Sequence, residues 1–202
     1  MTRFDELNKL FKGYFDVMGI SETDKKKRID CAFFFYDAVW YTLTLIRLEY
    51  QQNRLEDIAS YIQTLVYRLS DALQDIPYDE AYLKDVSTEI VETTFRHLED
   101  TDEDEENYYT SEKRAILIAQ NEANTVMNRN DFEDAKNSGK TTKTWITEGD
   151  EKVREAHVLV DMVSIPIDQT FQVGKDNMMY PHDYENGSAE NLVNCRCWCE
   201  YR

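Results

Sequence analysis

Three of the four cysteines lie close together in the segment Asn194-Cys195-Arg196-Cys197-Trp198-Cys199. Side chains of an extended chain point alternately to two opposite faces. If this segment is extended, its three thiols share one face, and Arg196 and Trp198 lie on the other. Thiols grouped in this way, with His157 further upstream, favour either a metal site or a disulfide.

Zn²⁺ is the metal that these residue types fit best, because it prefers tetrahedral sites of cysteine sulfur and histidine nitrogen. The candidate ligands are Cys195, Cys197 and His157. A fourth ligand could come from one of three further residues, Cys199, His182 or Asp183. A Cys-x-Cys pair is closer than the usual Cys-x2-Cys spacing, so the backbone must bend for both thiols to reach one ion.

The alternative is a buried polar network without a metal. In this interpretation an acidic side chain pairs with an arginine, His157 is hydrogen-bonded, and the cysteines pack as small hydrophobic residues. The predicted members of this structural polar core are Glu122, Asp150, Arg154, His157, Asp183, Asn194 and Arg196. Both interpretations require elements that bring distant residues together.

Composition limits the classes of protein that fit. Hydrophobic residues make up 42% of the 202 residues, which is enough for a packed core in one domain or two small ones. Only 6 glycines and 3 prolines occur, which favours long helices. The net charge of −17 argues against a nucleic-acid coat protein, because phosphate binding needs clustered Lys and Arg.

The first residues, 1–6, lack the apolar segment of a signal peptide, so we expect a cytoplasmic, reducing environment in which disulfides are rare. The most apolar run, Cys31–Ile46, contains Asp37 and ends before Arg47. It is short compared with the roughly 20 apolar residues of a membrane span. We therefore predict a buried helix and no membrane contact, and leave open whether one chain or two chains bury it.

Apolar side chains at helical spacing predict an all-helical bundle in residues 1–98. Its helices are expected at about 3–18, from Ser21 through 33–50, at 55–73, and after a loop at 75–79. Residues 99–107 are mostly acidic and are predicted to be a linker between domains. A metal-binding acidic loop is the alternative for this segment, although it lacks the glycine and oxygen spacing of an EF-hand.

The rest of the chain, 108–202, changes character and predicts a small α+β domain with a short sheet. A helix is expected after Thr110 or Ser111, and β-prone residues follow at 141–146. The segment 150–158 is predicted to be a short helix with Asp150, Arg154 and His157 on one face. Strands are expected at 171–173 and at 192–201. The predicted class is thus α+β, with a helical bundle first.

Motifs of the second half occur in an order seen in a known family. They are Glu122 and Asn124 on a helix, Lys143-Thr144-Trp145, the segment Asp150 to His157 with Arg154, Phe171 and Val173, Tyr180-Pro181-His182-Asp183, and Asn194-Cys195-Arg196-Cys197. Together they resemble the phage head morphogenesis family, the minor head proteins similar to protein F of phage Mu. Four positions depart from the family pattern: Gln120, Asn121, Lys152 and His182.

The resemblance implies a minor structural protein of a tailed-phage or prophage head. Such a protein associates with the portal vertex and acts in head morphogenesis or DNA delivery. The implied partners are the portal protein, the major capsid protein and, as a further option, packaged DNA. The implied location is the virion head, after assembly in the host bacterial cytoplasm, and the helical half would be the docking domain.

An enzyme is the alternative function. Cysteine with histidine and aspartate can form a thiol nucleophile site, as in a toxin or a nuclease-like enzyme with a Cys/His site. The sequence contains no Gly-rich phosphate loop, nucleophile elbow or HExxH motif. We therefore predict no catalytic residue.

Overall fold

The computed structural model describes residues 1–99 and 107–202. These residues form seven α-helices and five short strands, which confirms the predicted α+β class with a helical N-terminal part. The chain folds as two compact units. One consists of 1–30 and 120–202, and the other of 31–119.

Four α-helices form the first half: α1 (Arg3–Phe15), α2 (Glu22–Gln51), α3 (Ile58–Ala72) and α4 (Glu80–Arg96). Polar side chains cap the starts of α1 and α4. Thr2 and Asp5 form a capping box on α1, and Asp79 accepts hydrogen bonds from the first amides of α4. His97 is the C-terminal cap of α4.

The second half begins with a 3₁₀ turn (Tyr108–Thr110) and α5 (Glu112–Asn137), which stops before Gly139 at a φ of 76°. The remaining elements are β1 (Thr142–Ile146), α6 (Glu155–Val158), β2 (Ser164–Pro166), β3 (Phe171–Val173), β4 (Asp176–Met178), α7 (Ala189–Leu192) and β5 (Trp198–Tyr201). Strand β1 lies between β2 and β5 in an antiparallel sheet, and β3 and β4 form a hairpin.

The hydrophobic core beside the sheet contains two of the predicted metal ligands, Cys195 and Cys197. Trp145 on β1 is fully buried and lies opposite Cys199 of β5. The buried cluster contains Trp145, Val160, Phe171, Val173, Met178, Cys195 and Cys197. A hydrophobic cluster that includes two cysteines is compatible with either of their predicted roles, as metal ligands or as small hydrophobic residues.

The predicted helix at 150–158 is wrong over its first half. Gly149 adopts a φ of 68°, and the Asp150 carboxylate accepts a hydrogen bond from the Lys152 amide at 3.0 Å. This side-chain turn competes with helical backbone bonding, so α6 begins only at Glu155. Asp150 therefore shares no helical face with His157.

The predicted final strand at 192–201 is also too long. Leu192 is the last residue of α7, Val193 is its C-terminal cap, and Asn194 has a left-handed φ of 59°. The strand begins only at Trp198. The three thiols are therefore not a simple alternating row: Cys195 and Cys197 lie on the bent segment before the strand, and Cys199 lies within it.

The compact units differ from the predicted domains at 1–98 and 108–202. Residues 1–30 belong with the C-terminal part, and helices α2 and α5 each contribute residues to both units. Most of the predicted acidic linker, and its alternative as a metal-binding loop, lie outside the described residues.

Helix α2 is longer than the apolar run that the sequence indicated. Among the described residues it is the one helix long and apolar enough to cross a membrane, and half of its most apolar window is buried within the protein. Phe35, Val39, Leu43 and Ile46 have no exposed surface. Their spacing places them along one side of the helix, which supports the interpretation of a packed core helix.

Candidate metal centre

Three of the predicted ligands converge in the unit formed by 1–30 and 120–202. The Nδ1 atom of His157 lies 3.4 Å from the Cys197 sulfur and 3.6 Å from the Cys195 sulfur. All three side chains are buried. Bonds of about 2.0 Å to nitrogen and 2.3 Å to sulfur, at tetrahedral angles, place the two donor atoms roughly 3.6 Å apart. The observed distances fit one tetrahedral Zn²⁺.

The ring of His157 is oriented by a hydrogen-bonded amide. Asn191 donates through Nδ2 to the Val173 carbonyl at 3.1 Å and to the Asp176 carboxylate at 2.8 Å. Its Oδ1 therefore faces His157, whose Nε2 lies 3.2 Å away. Since Oδ1 can only accept, Nε2 carries the proton. In the neutral imidazole, Nδ1 is then the nitrogen without a proton and the one that can bind a metal.

Asp176 anchors this arrangement from the β3–β4 hairpin. Its carboxylate accepts hydrogen bonds from the Ser188 hydroxyl at 2.6 Å and from the Ser188 amide at 2.7 Å. These hydrogen bonds and the one from Asn191 lower the pKa of Asp176 to about 2. A carboxylate that stays ionised keeps the Asn191 amide in one orientation.

Helix α5 supports the cysteine segment with amides at helical spacing. Asn124 donates to the Cys195 carbonyl and Asn128 to the Cys197 carbonyl, each at 3.2 Å. Asn121 accepts the Asn194 amide at 2.8 Å. Positions 121, 124 and 128 lie on one helical face, so α5 holds both cysteines by their backbones.

Arg28 fixes two of these amides from the other side. Its guanidinium is fully buried and donates to the Oδ1 atoms of Asn124 at 3.4 Å and Asn128 at 3.1 Å. It also forms a 2.7 Å ion pair with Asp131. Because Oδ1 of each amide accepts from Arg28, Nδ2 must point at the cysteine carbonyls. The sequence analysis missed this buried arginine.

The surroundings shift the pKa values of Cys195 and Cys197 in opposite directions. Hydrogen bonding to Cys197, supported by contacts with His157 and His182, lowers the pKa of Cys195. Hydrogen bonding to Cys195, together with burial, raises the pKa of Cys197. The lowered pKa favours the thiolate of Cys195, and thiolate is the form that binds metals.

Glu148, in the loop after β1, lies beside this cluster. It lines a cavity of about 10 Å³ together with His157, Cys195 and Cys197. Its Oε1 atom is buried and has no hydrogen-bond partner among the described residues. Burial raises the pKa of Glu148 to about 7. The sequence analysis did not single out this residue.

A larger cavity of about 500 Å³ opens next to the cluster. It is lined by three cationic side chains, Lys152, Arg154 and Arg196, with Asn194 and residues of α1. Arg196 is held by a bidentate pair with Asp150, both distances being 2.8 Å. This cavity is a local concentration of positive charge in an acidic chain.

The predicted polar core is only partly assembled. Asp150 pairs with Arg196 as expected, but Asp150 is exposed, and Arg154 donates to the Val193 carbonyl instead. Asn194 is exposed, and Glu122 is half-buried on α5. These residues surround the centre rather than form one buried network, because the segments 147–154 and 193–194 are surface turns.

The proposed additional ligands lie outside the three-residue cluster. His182 is buried with its Nε2 2.7 Å from the Cys195 carbonyl, and contacts with Cys195 raise its pKa despite burial. Asp183 is buried and accepts from the Met179 amide at 2.7 Å. Cys199 lies in β5, and burial raises its pKa to about 12. Among the described residues, none of these three belongs to the cluster of His157, Cys195 and Cys197.

Comparison with known proteins gives no match: no family model, no curated protein and no solved structure is similar to this chain.

Proposed function

We propose that this chain is a minor structural protein of a tailed-phage or prophage head that associates with the portal vertex. One observation supports this proposal most. The motif residues that resemble the head morphogenesis family are scattered from 122 to 197, yet several of them meet at one buried centre. Asn124 bonds the Cys195 carbonyl, and Trp145 packs edge-on against His157 with ring centroids 5.7 Å apart.

Binding to the portal protein tests this proposal directly. The chain and the portal protein encoded beside its gene should co-elute in size-exclusion chromatography with light scattering, as a complex of defined mass. A portal protein from an unrelated phage is the control. Two separate peaks from folded proteins would contradict a portal-associated role.

We also propose that His157, Cys195 and Cys197 bind Zn²⁺, which would join α6 to the segment before β5. A bound ion would cross-link these two segments, as in structural zinc sites. The enzyme alternative gains less support, because Cys195 and Cys197 are only 2% and 3% exposed and a nucleophile must reach its substrate. Burial of the centre favours a structural role.

Asn191 should control zinc affinity without touching the ion. We expect Asn191→Ala to weaken Zn²⁺ binding about 10- to 100-fold, because His157 loses the acceptor that fixes its tautomer. Competition with a chromophoric chelator measures this change. Asn186→Ala, which removes an amide bonded to Asp183 at 3.0 Å, is the matched control and should bind normally. Equal affinities of both variants would contradict the orienting role.

Contact with packaged DNA is a further part of the proposal, and the cation-lined cavity is the surface that could make it. The net charge of −17 repels DNA, so such contact must be local and sensitive to salt. Lys152→Ala should weaken binding of duplex DNA in fluorescence anisotropy more than Lys175→Ala, which alters an exposed lysine paired with Glu190. Equal binding by the two variants would exclude this cavity.

A further inference from the structure

The three-residue cluster lacks one donor for a tetrahedral zinc site. Structural zinc sites are almost always four-coordinate. Cys199, His182 and Asp183, the residues considered from the sequence as a fourth ligand, lie outside the cluster and do not line the cavity beside it. The missing donor must therefore come from another residue or from solvent.

The small cavity at the cluster supplies one more side chain of the right type. Its lining contains four residues with strong zinc donors: Glu148, His157, Cys195 and Cys197. The rest of the lining consists of Lys152, Val153, Arg154, Asn194 and Arg196, of which none offers an anionic donor. At about 10 Å³ the cavity has room for about one atom of water size.

Glu148 also needs a partner that the protein does not provide. Its buried Oε1 atom accepts no hydrogen bond from any described residue. A buried acceptor without a partner costs about 1–3 kcal/mol. Arg196, a cation that lines the same cavity, directs its guanidinium at Asp150 through two hydrogen bonds. A metal ion at the cluster would satisfy the unpaired oxygen.

We infer that Glu148 is the fourth ligand of the metal centre and completes a Cys₂-His-Glu set. Its carboxylate is not among the donor atoms that lie within 4.8 Å of one another, so the Glu148 side chain must turn toward the ion when the metal binds. This inference rests on the proposed binding of Zn²⁺ by His157, Cys195 and Cys197. Glu148 enters from the loop after β1, so the ion would link three segments: this loop, α6, and the segment before β5 that carries Cys195 and Cys197. A closed site has no open position for substrate, which is consistent with a structural role.

Titration of the full chain with Co²⁺ and Zn²⁺ tests the inference. Co²⁺ reports coordination geometry through its visible absorption, and Zn²⁺ affinity follows from competition. Glu148→Gln keeps the size of the side chain and removes its charge, whereas Glu148→Ala removes the ligand altogether. Glu151→Gln, at an exposed position in the same loop, is the control.

We expect both Glu148 variants to weaken Zn²⁺ binding by roughly 100-fold or more, since loss of outer contacts alone costs 10- to 100-fold. Glu148→Ala should also change the Co²⁺ absorption, and Glu151→Gln should change neither property. Unchanged Co²⁺ absorption in Glu148→Ala overturns the inference, even with weaker binding, while the proposed zinc site stands. No metal binding by the unaltered protein would overturn both.

Discussion

Replacing Cys197 with serine should lower the melting temperature of the zinc-loaded protein by roughly 10 °C. The substitution removes one of the buried donors that face His157. A ligand present at 1,000 times its Kd stabilises a protein by about 4 kcal/mol, and each kcal/mol shifts the melting temperature of a chain of this size by about 2–4 °C. Differential scanning calorimetry measures the change.

A chelator provides the matching test of this prediction. It should lower the melting temperature of the unaltered protein to that of Cys197→Ser, and it should leave the variant unchanged. Cys199→Ser is the control, because Cys199 lies outside the cluster, so its melting should still respond to chelator. Protein from zinc-supplemented medium that contains well under one equivalent of metal, and that melts identically with chelator, would contradict the metal centre.

The helices could be predicted because their signals are local. Apolar residues at helical spacing, Thr2 before α1 and Asp79 before α4 depend only on neighbouring sequence. The packing partners of a helix are not local. Residues 1–30 join the C-terminal part, where Tyr14 donates to the Cys195 carbonyl at 3.3 Å. An amphipathic stripe predicts that a helix is buried, but it does not say against what.

The three candidate metal ligands could be predicted from residue type. The residues that surround them in space could not. Cysteine and histidine are rare in this sequence, so His157 and the Cys-x-Cys pair were conspicuous. Glu148 is one of many acidic residues and has no distinguishing spacing. Asn121, Asn124 and Asn128 do follow helical spacing, and this signal could have indicated a polar face on α5.

The turns at 149–150 and 194 explain the two incorrect secondary-structure predictions. Gly149 and Asn194 both adopt positive φ values, which interrupt helix and strand alike. Only a few residue types tolerate a positive φ. A glycine or asparagine in the sequence does not by itself show that the backbone adopts one. Between Cys195 and Cys197 the chain is folded locally rather than extended, since the Cys197 amide donates to the Cys195 sulfur at 3.4 Å, and both thiols reach one imidazole.

Trp145→Ala should destabilise the protein by about 3–5 kcal/mol, because it removes a large and fully buried core side chain. The indole packs edge-on against Phe171, with ring centroids 5.3 Å apart, and against His157. Its loss should therefore also release the imidazole from its position and weaken Zn²⁺ binding. Urea unfolding followed by circular dichroism measures the stability, and competition titration measures the affinity.

The matched control for this prediction is Trp40→Ala on α2. Trp40 is half-buried and lies under the Arg47 guanidinium, 5.7 Å from the ring centroid. Losing the contact with Arg47 costs about 1 kcal/mol. Trp40 belongs to the compact unit of 31–119, and the metal ligands belong to the other unit, so Zn²⁺ affinity should not change. Equal losses of stability in the two variants would contradict a central role for Trp145 in the core. A destabilised Trp145→Ala protein that binds Zn²⁺ normally would show that His157 is positioned by Asn191 alone.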